Sequence, residues 1–181
     1  KKISYLFPRA HAVAYVMMAF RIAWFKVYHP LAFYAAYFSI RAKAFDLRIM
    51  TGDLNTQLKE FNRIKALDRG ASPKEKDLMS ALEVSMEMYQ RGYRFINVDI
   101  QHSGARRFSI KDGALLPPFL AIDSLGETVA DAIVEERETK PFTSLKDLQR
   151  RCKVSATIIE TMKELKCCGD LPEDEQMSLF G

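Results

Sequence analysis

Three short stretches of the sequence gather side chains able to grip an anion, stack on a ring or fill an apolar pocket. Phe7, His11 and Tyr15 recur at i, i+4 and i+8, which places them on one face of a helix, with Arg9 and Arg21 close by. Rings beside cations can hold a base and its phosphates. The surroundings favour an anion, because residues 1–50 hold eight basic side chains and a single acid, Asp46, a net of +7, while the other 131 residues carry −3. The plainer alternative makes Phe7 and Tyr15 core residues and His11 a satisfied helix-start histidine.

The second stretch is Ile122-Asp123-Ser124-Leu125-Gly126-Glu127, a tight turn running into a helix whose first turn includes Thr128. Small residues at Ser124 and Gly126 let backbone amides approach a phosphate, and a helix N-terminus adds partial positive charge. No side chain there reads base edges, so such a grip is indifferent to sequence. An ordinary corner between two helices is the competing reading. The segment from Cys152 to Ser155 offers a degenerate copy without a glycine. The third stretch is Gln176-Met177-Ser178-Leu179-Phe180, an apolar tip after the acidic Asp170, Glu173, Asp174 and Glu175. Such a tip can enter a partner's pocket while the glutamine amide fixes register.

Other chemistries find little support. There is no GxxxxGK[ST], GxGxxG or GxSxG pattern, no CxxC, and the three histidines lie far apart. A two-metal phosphoryl-transfer site needs clustered carboxylates, which the basic region lacks. Glu135, Glu136 and Glu138 sit among Arg137 and Lys140 and read as a solvated charged face. With 181 residues, 48% hydrophobic and 28% charged, the chain can bury a core. Cys152, Cys167 and Cys168 cannot form a disulfide framework and fit a reducing cytoplasm. The opening Lys-Lys-Ile, without methionine or signal-peptide features, reads as part of something longer.

The elements that must position these stretches are mainly helical. From Ala10 to Phe25 nearly every position is apolar, which predicts a helix packed on several sides. Pro30 then opens a second helix, the two forming a hairpin. Arg21, Lys26 and Pro30 break the apolar run and argue against a membrane span. Leu54, Leu58, Phe61 and Lys65 mark the next helix. Ser72-Pro73-Lys74-Glu75 is a capping box opening a helix that buries Leu78, Leu82, Met86 and Tyr89 and ends at Gly92. Residues 94–100 are β-prone, and 106–116 read as a hairpin around Lys111-Asp112-Gly113. Helices are predicted over 127–138, 144–151 and 155–166, before an acidic, mobile tail.

These elements, in this order, resemble the C-terminal end of the alpha subunit of bacterial DNA polymerase III of the PolC type. The resemblance covers nearly the whole chain. It is carried by Tyr5-Leu6-Phe7-Pro8-Arg9-Ala10-His11-Ala12-Val13-Ala14-Tyr15 and by the run from Phe25-Lys26-Val27-Tyr28-His29-Pro30 to Tyr37-Phe38. Ala71-Ser72-Pro73-Lys74-Glu75-Lys76, Leu116-Pro117-Pro118-Phe119 and the Gln-x-Ser-Leu-Phe ending complete it. The resemblance implies a mostly α chain with a small β part. Residues 1–45 would end a fingers domain, with Phe7, His11 and Tyr15 lining the nascent base pair and Arg9 and Arg21 beside them.

Residues 46–169 would be a duplex-binding domain, helical over 46–92, β over 93–116 and a tandem helix-hairpin-helix over 117–169. Ser124, Leu125, Gly126 and Thr128 would then meet the DNA backbone. The family's usual Gly-hydrophobic-Gly turn is Ser124-Leu125-Gly126 here. Residues 170–181 would carry a sliding-clamp-binding peptide, Gln176 to Phe180, with Met177 in place of the usual leucine. The parent would be a DNA-directed DNA polymerase using Mg2+ and deoxynucleoside triphosphates in the cytoplasm. Its palm aspartates precede this segment, so the segment alone would be inactive and bind none of these cofactors. Its partners would be duplex DNA of any sequence, the clamp and the remaining palm, thumb and exonuclease domains. A non-catalytic helix-hairpin-helix accessory protein of replication or repair is the alternative, and a peripheral membrane protein using residues 10–38 a third.

Overall fold

The computed structural model describes residues 8–174, which are mostly α with one two-stranded sheet. Pro8 precedes α1 (Arg9–Tyr28), and after His29 a proline at the first helical position opens α2 (Pro30–Ala36), where its missing N–H costs nothing. A π-helical turn, Tyr37–Arg41, continues α2, and the short α3 (Leu47–Met50) is capped by the Asp46 carboxylate, which accepts from the Ile49 amide. Sequence periodicity signals neither of these last two pieces. Then come α4 (Leu54–Ala66) and α5 (Pro73–Gln90).

The capping box is formed as expected. Ser72 Oγ accepts from the Glu75 amide at 3.2 Å, and the Glu75 carboxylate accepts from the Ser72 amide at 2.9 Å. Gly92 follows α5 at φ +84°, a left-handed conformation that favours glycine. Strands β1 (Ser109–Lys111) and β2 (Ala114–Leu116) pair antiparallel with Lys111 opposite Ala114. The intervening Asp112 and Gly113 both have positive φ, the two-residue turn whose twist matches the strands. Last come α6 (Glu127–Thr139), α7 (Leu145–Cys152) and α8 (Ala156–Glu164).

Two apolar cores hold this together. One gathers Tyr34 and Phe38 with Met50, Leu82, Met88, Phe95 and Leu115, and the other gathers Phe119, Ile122, Leu125, Ile133, Leu148, Val154 and Met162. Phe45 packs against both.

Four expectations are corrected. The α1 helix is not packed on several sides: none of its twenty residues is buried, and Val13, Tyr15, Phe20, Trp24 and Phe25 stand exposed. Arg21 and Lys26 do not interrupt it, and by length and composition it could cross a membrane. Residues 94–100 form no strand and contribute only a bridge from Phe95 to Leu115. The buried stripes are also rotated from the expected ones. On α4 Gln57 and Ile64 are buried and Leu58 is exposed, because the Gln57 amide donates to Met50 O and its oxygen accepts from Ser85 Oγ. On α5 Ala81, Leu82, Ser85 and Met88 are buried, while Leu78, Met86 and Tyr89 are only half so.

Finally, the acidic segment is tied down as far as Asp174. Pro172 O and Glu173 O accept from the amides of Leu145 and Lys146, and Glu173 and Asp174 pair with Lys163 and Lys146 at 2.7 and 2.5 Å. These carbonyls satisfy amides that the first turn of α7 would otherwise leave orphaned.

Candidate nucleic-acid interface

The turn before α6 is built by one inward side chain and two outward ones. Leu125 is 4% exposed in the second core, which forces Ser124 and Gly126, on either side of it, to the surface. Ser124 takes φ +65°, the left-handed position where glycine would be at ease. Gly126 has an ordinary φ of −76° as the residue capping α6, and a side chain there would meet nothing within 4 Å. Among the described residues nothing therefore requires glycine at 126. The amides of Glu127 and Thr128 donate to no described acceptor, and Thr128 is exposed beside them. Such a bare helix start presents N–H groups and partial positive charge to an outside oxygen.

The same backbone occurs a second time. Lys153 takes φ +54°, Val154 is 2% exposed in the same core, and Ser155 caps α8 at φ −69° and ψ 153°, against −76° and 159° for Gly126. Exposure repeats in step from 124 to 130 and from 153 to 159. The side chains differ. Ser155 Oγ accepts from the Ile158 amide at 3.3 Å, Lys153 brings a cation, and the first turn of α8 holds no acid. The first turn of α6 holds Glu127, which is paired with Arg106 at 2.6 Å; Arg106 also grips Asp131 and holds that carboxyl below the usual range. The sequence offers Cys152 to Ser155 only as a degenerate copy because it lacks a turn glycine, although the capping serine after Lys-Val is a usable signal.

The expected nucleotide-facing residues are only partly brought together. The rings of His11 and Tyr15 meet edge to face at 4.4 Å on the exposed α1. At about 100° per residue, Arg9 lies on nearly the opposite side of the helix and Arg21 about 80° round from His11, roughly 15 Å further along. Phe7 and the whole Gln176 to Phe180 peptide fall outside the described residues. Among the described residues no three of His, Cys, Asp and Glu come together to hold a metal ion. The three cysteines are free and buried, and burial pushes the Cys152 thiol up to about 11.

Comparison with known proteins agrees with this geometry. A family described as the helix-hairpin-helix motif matches residues 92–177, a span that contains both turns. The chain is 49% identical over 180 residues to DNA polymerase III PolC-type of Caldanaerobacter subterraneus subsp. tengcongensis, covering 99% of this chain and 13% of that protein. It is 46% identical over 181 residues to the protein of the same name from Streptococcus pyogenes serotype M12, covering 99% of this chain and 12% of the relative. The chain thus spans about an eighth of the length of these relatives, and over nearly all of itself it is a homologue of PolC-type DNA polymerase III.

Proposed function

We propose that this homologue of a segment of PolC-type DNA polymerase III serves a cytoplasmic replicative DNA polymerase as its duplex grip, and adds a nucleotide-facing helix and a clamp tether. The observation that carries the reading is the pair of turns with one backbone, each pushing an apolar residue into a shared core and leaving a helix start at the surface, uncapped at α6 and capped by Ser155 at α8. Two such starts can each take a phosphate. Because both contacts go to backbone oxygens, the grip is blind to sequence. Ser124, Leu125, Gly126 and Thr128 form the first contact, and Lys153 to Ser155 the second.

In this reading α1 belongs to a fingers domain, where His11 and Tyr15, with Phe7, face the incoming deoxynucleoside triphosphate. Its exposed apolar sides then pack against the rest of the parent, whose relatives are about eight times as long as this chain. The described residues do not suit a magnesium site. We therefore assign the metal, and nucleotidyl transfer itself, to palm aspartates outside this segment, which alone should not synthesise DNA. Gln176, Met177, Ser178, Leu179 and Phe180 are assigned to the sliding clamp.

Fluorescence anisotropy with duplexes of unrelated sequence tests the grip. Affinity should fall steeply with salt and be the same for each duplex, and a flat salt response would overturn the reading. A labelled peptide of residues 171–181 titrated with a bacterial sliding clamp tests the tether. Its binding should vanish when Leu179 and Phe180 become alanine. Grip without clamp binding, in a chain with no polymerase parent, would favour a helix-hairpin-helix accessory protein instead.

A further inference from the structure

The α1 helix meets the body along α2, and a polar joint fastens it to α5. Glu87 lies on α5 beside the fully buried Met88. Its Oε2 accepts from the Tyr34 hydroxyl at 2.9 Å and pairs with Lys26 Nζ of α1 at 2.8 Å, while its Oε1 pairs with Arg91 Nε at 2.6 Å. Arg91 Nη1 reaches on to Lys26 O at 3.4 Å, and Lys26 Nζ stands 5.2 Å above the Phe33 ring. Tyr34 is fully buried, so its hydroxyl is immobilised by the core. One carboxylate is therefore gripped on one side by a group that cannot move, and it grips on the other the salt bridge that ties α1 to a described residue of the body.

We propose that Glu87 is a positioning residue which sets the angle at which α1 leaves the body, and so sets where His11 and Tyr15 stand relative to the two DNA-gripping turns. This rests on the reading of α1 as the nucleotide-facing helix. The lever is long: fifteen residues separate Lys26 from His11, about 22 Å at 1.5 Å per residue, so a 10° tilt at the joint would displace His11 by about 4 Å. Displacements of about 1 Å are already costly where reacting groups must be aligned. Burial alone would raise the Glu87 pKa, but the hydrogen bonds from Lys26 and Tyr34 outweigh it and hold the carboxyl below the usual range, so it is ionised when the joint is closed.

The test uses the full-length polymerase that carries this segment, with Glu87→Gln, Lys26→Met, the double variant and Tyr15→Ala. Lys26→Met breaks the joint from the exposed side without touching Tyr34, which guards against a folding defect in the Glu87 variant. Either single change should raise KM for the incoming nucleotide about tenfold, with kcat and duplex affinity within about twofold of the parent. The double variant should be no worse than the more impaired single one, because both break one joint. An unchanged KM, or a parallel loss of KM, kcat and duplex affinity, would overturn the proposal. Tyr15→Ala separates the two layers of argument. If it raises KM while the joint variants do not, the joint fails and the reading of α1 stands; if it too leaves KM unchanged, that reading fails with it.

Discussion

The α1 helix is richer in apolar residues than the body that follows it, and the two put them to opposite use. In α1 rings and branched chains occur all round and none is buried. From α2 to α8 they occur on one face of each element and close into two cores that share Phe45. An all-round apolar helix needs neighbours on every side, whereas a one-sided helix needs a single floor. Apolar content alone therefore does not say where a helix is buried. Among the described residues the body closes its own cores, and α1 leaves its apolar sides open.

The sharpest test of that contrast is deletion of a large side chain from each part. Phe119→Ala, in the body, should cost about 3–5 kcal/mol in urea denaturation because the side chain is fully buried. Phe20→Ala, on α1 and 73% exposed, should stay within about 0.5 kcal/mol. Equal losses would erase the distinction.

A second test concerns charge within the body. Asp147 is 5% exposed; burial by itself raises its pKa, but hydrogen bonds from Arg150, the Thr143 amide and Arg151 win and depress it. Its stabilisation is thus present above the unfolded carboxylate value near 4 and lost as pH falls through the folded value. Asp147→Asn should cost about 2 kcal/mol at pH 7, and the gap to the parent chain should close as the pH is lowered below about 4. A gap that stayed constant with pH would remove the ionic contribution.

A third test separates folding from binding at the two turns. Gly126→Asp installs a helix cap where the backbone already allows one and Ser155→Asp exchanges one good cap for another, so thermal stability should hold or rise slightly. Each should nevertheless weaken duplex binding and lower the salt slope by about 1, as one phosphate contact is repelled. If only Gly126→Asp does so, the second turn is a corner and no more. The smallest effect is expected from Arg9→Ala, which lies away from the His11–Tyr15 face and should change the KM for nucleotide less than Tyr15→Ala does.

What could be read in the sequence was whatever depends on near neighbours. The Ser72–Glu75 cap, Pro30 at a helix start and the Asp112-Gly113 turn are each decided within four residues, and each stands where expected. Burial of Gln57 was not legible, since its partners Met50 and Ser85 come from other elements. Glu87 gave no local sign either, because Lys26 and Tyr34 meet it across more than fifty residues. The turns misled in a different way. A left-handed residue is sought as glycine, yet Ser124 and Lys153 occupy those positions, while Gly126 stands where any residue could. The fold class followed from local chemistry, and the second copy of the turn, offered in the sequence only in degenerate form, is matched to the first by its backbone angles.

The anchored acidic segment has a mechanical consequence. Pro172 and Glu173 present their carbonyls to the first turn of α7, and Glu173 and Asp174 reach bases on α8 and α7. A pull on the chain beyond Asp174 is therefore delivered to two backbone hydrogen bonds and two ion pairs loaded together, and through them to the helices that frame the second turn. Such a load reaches α7 and α8 by a short, stiff path.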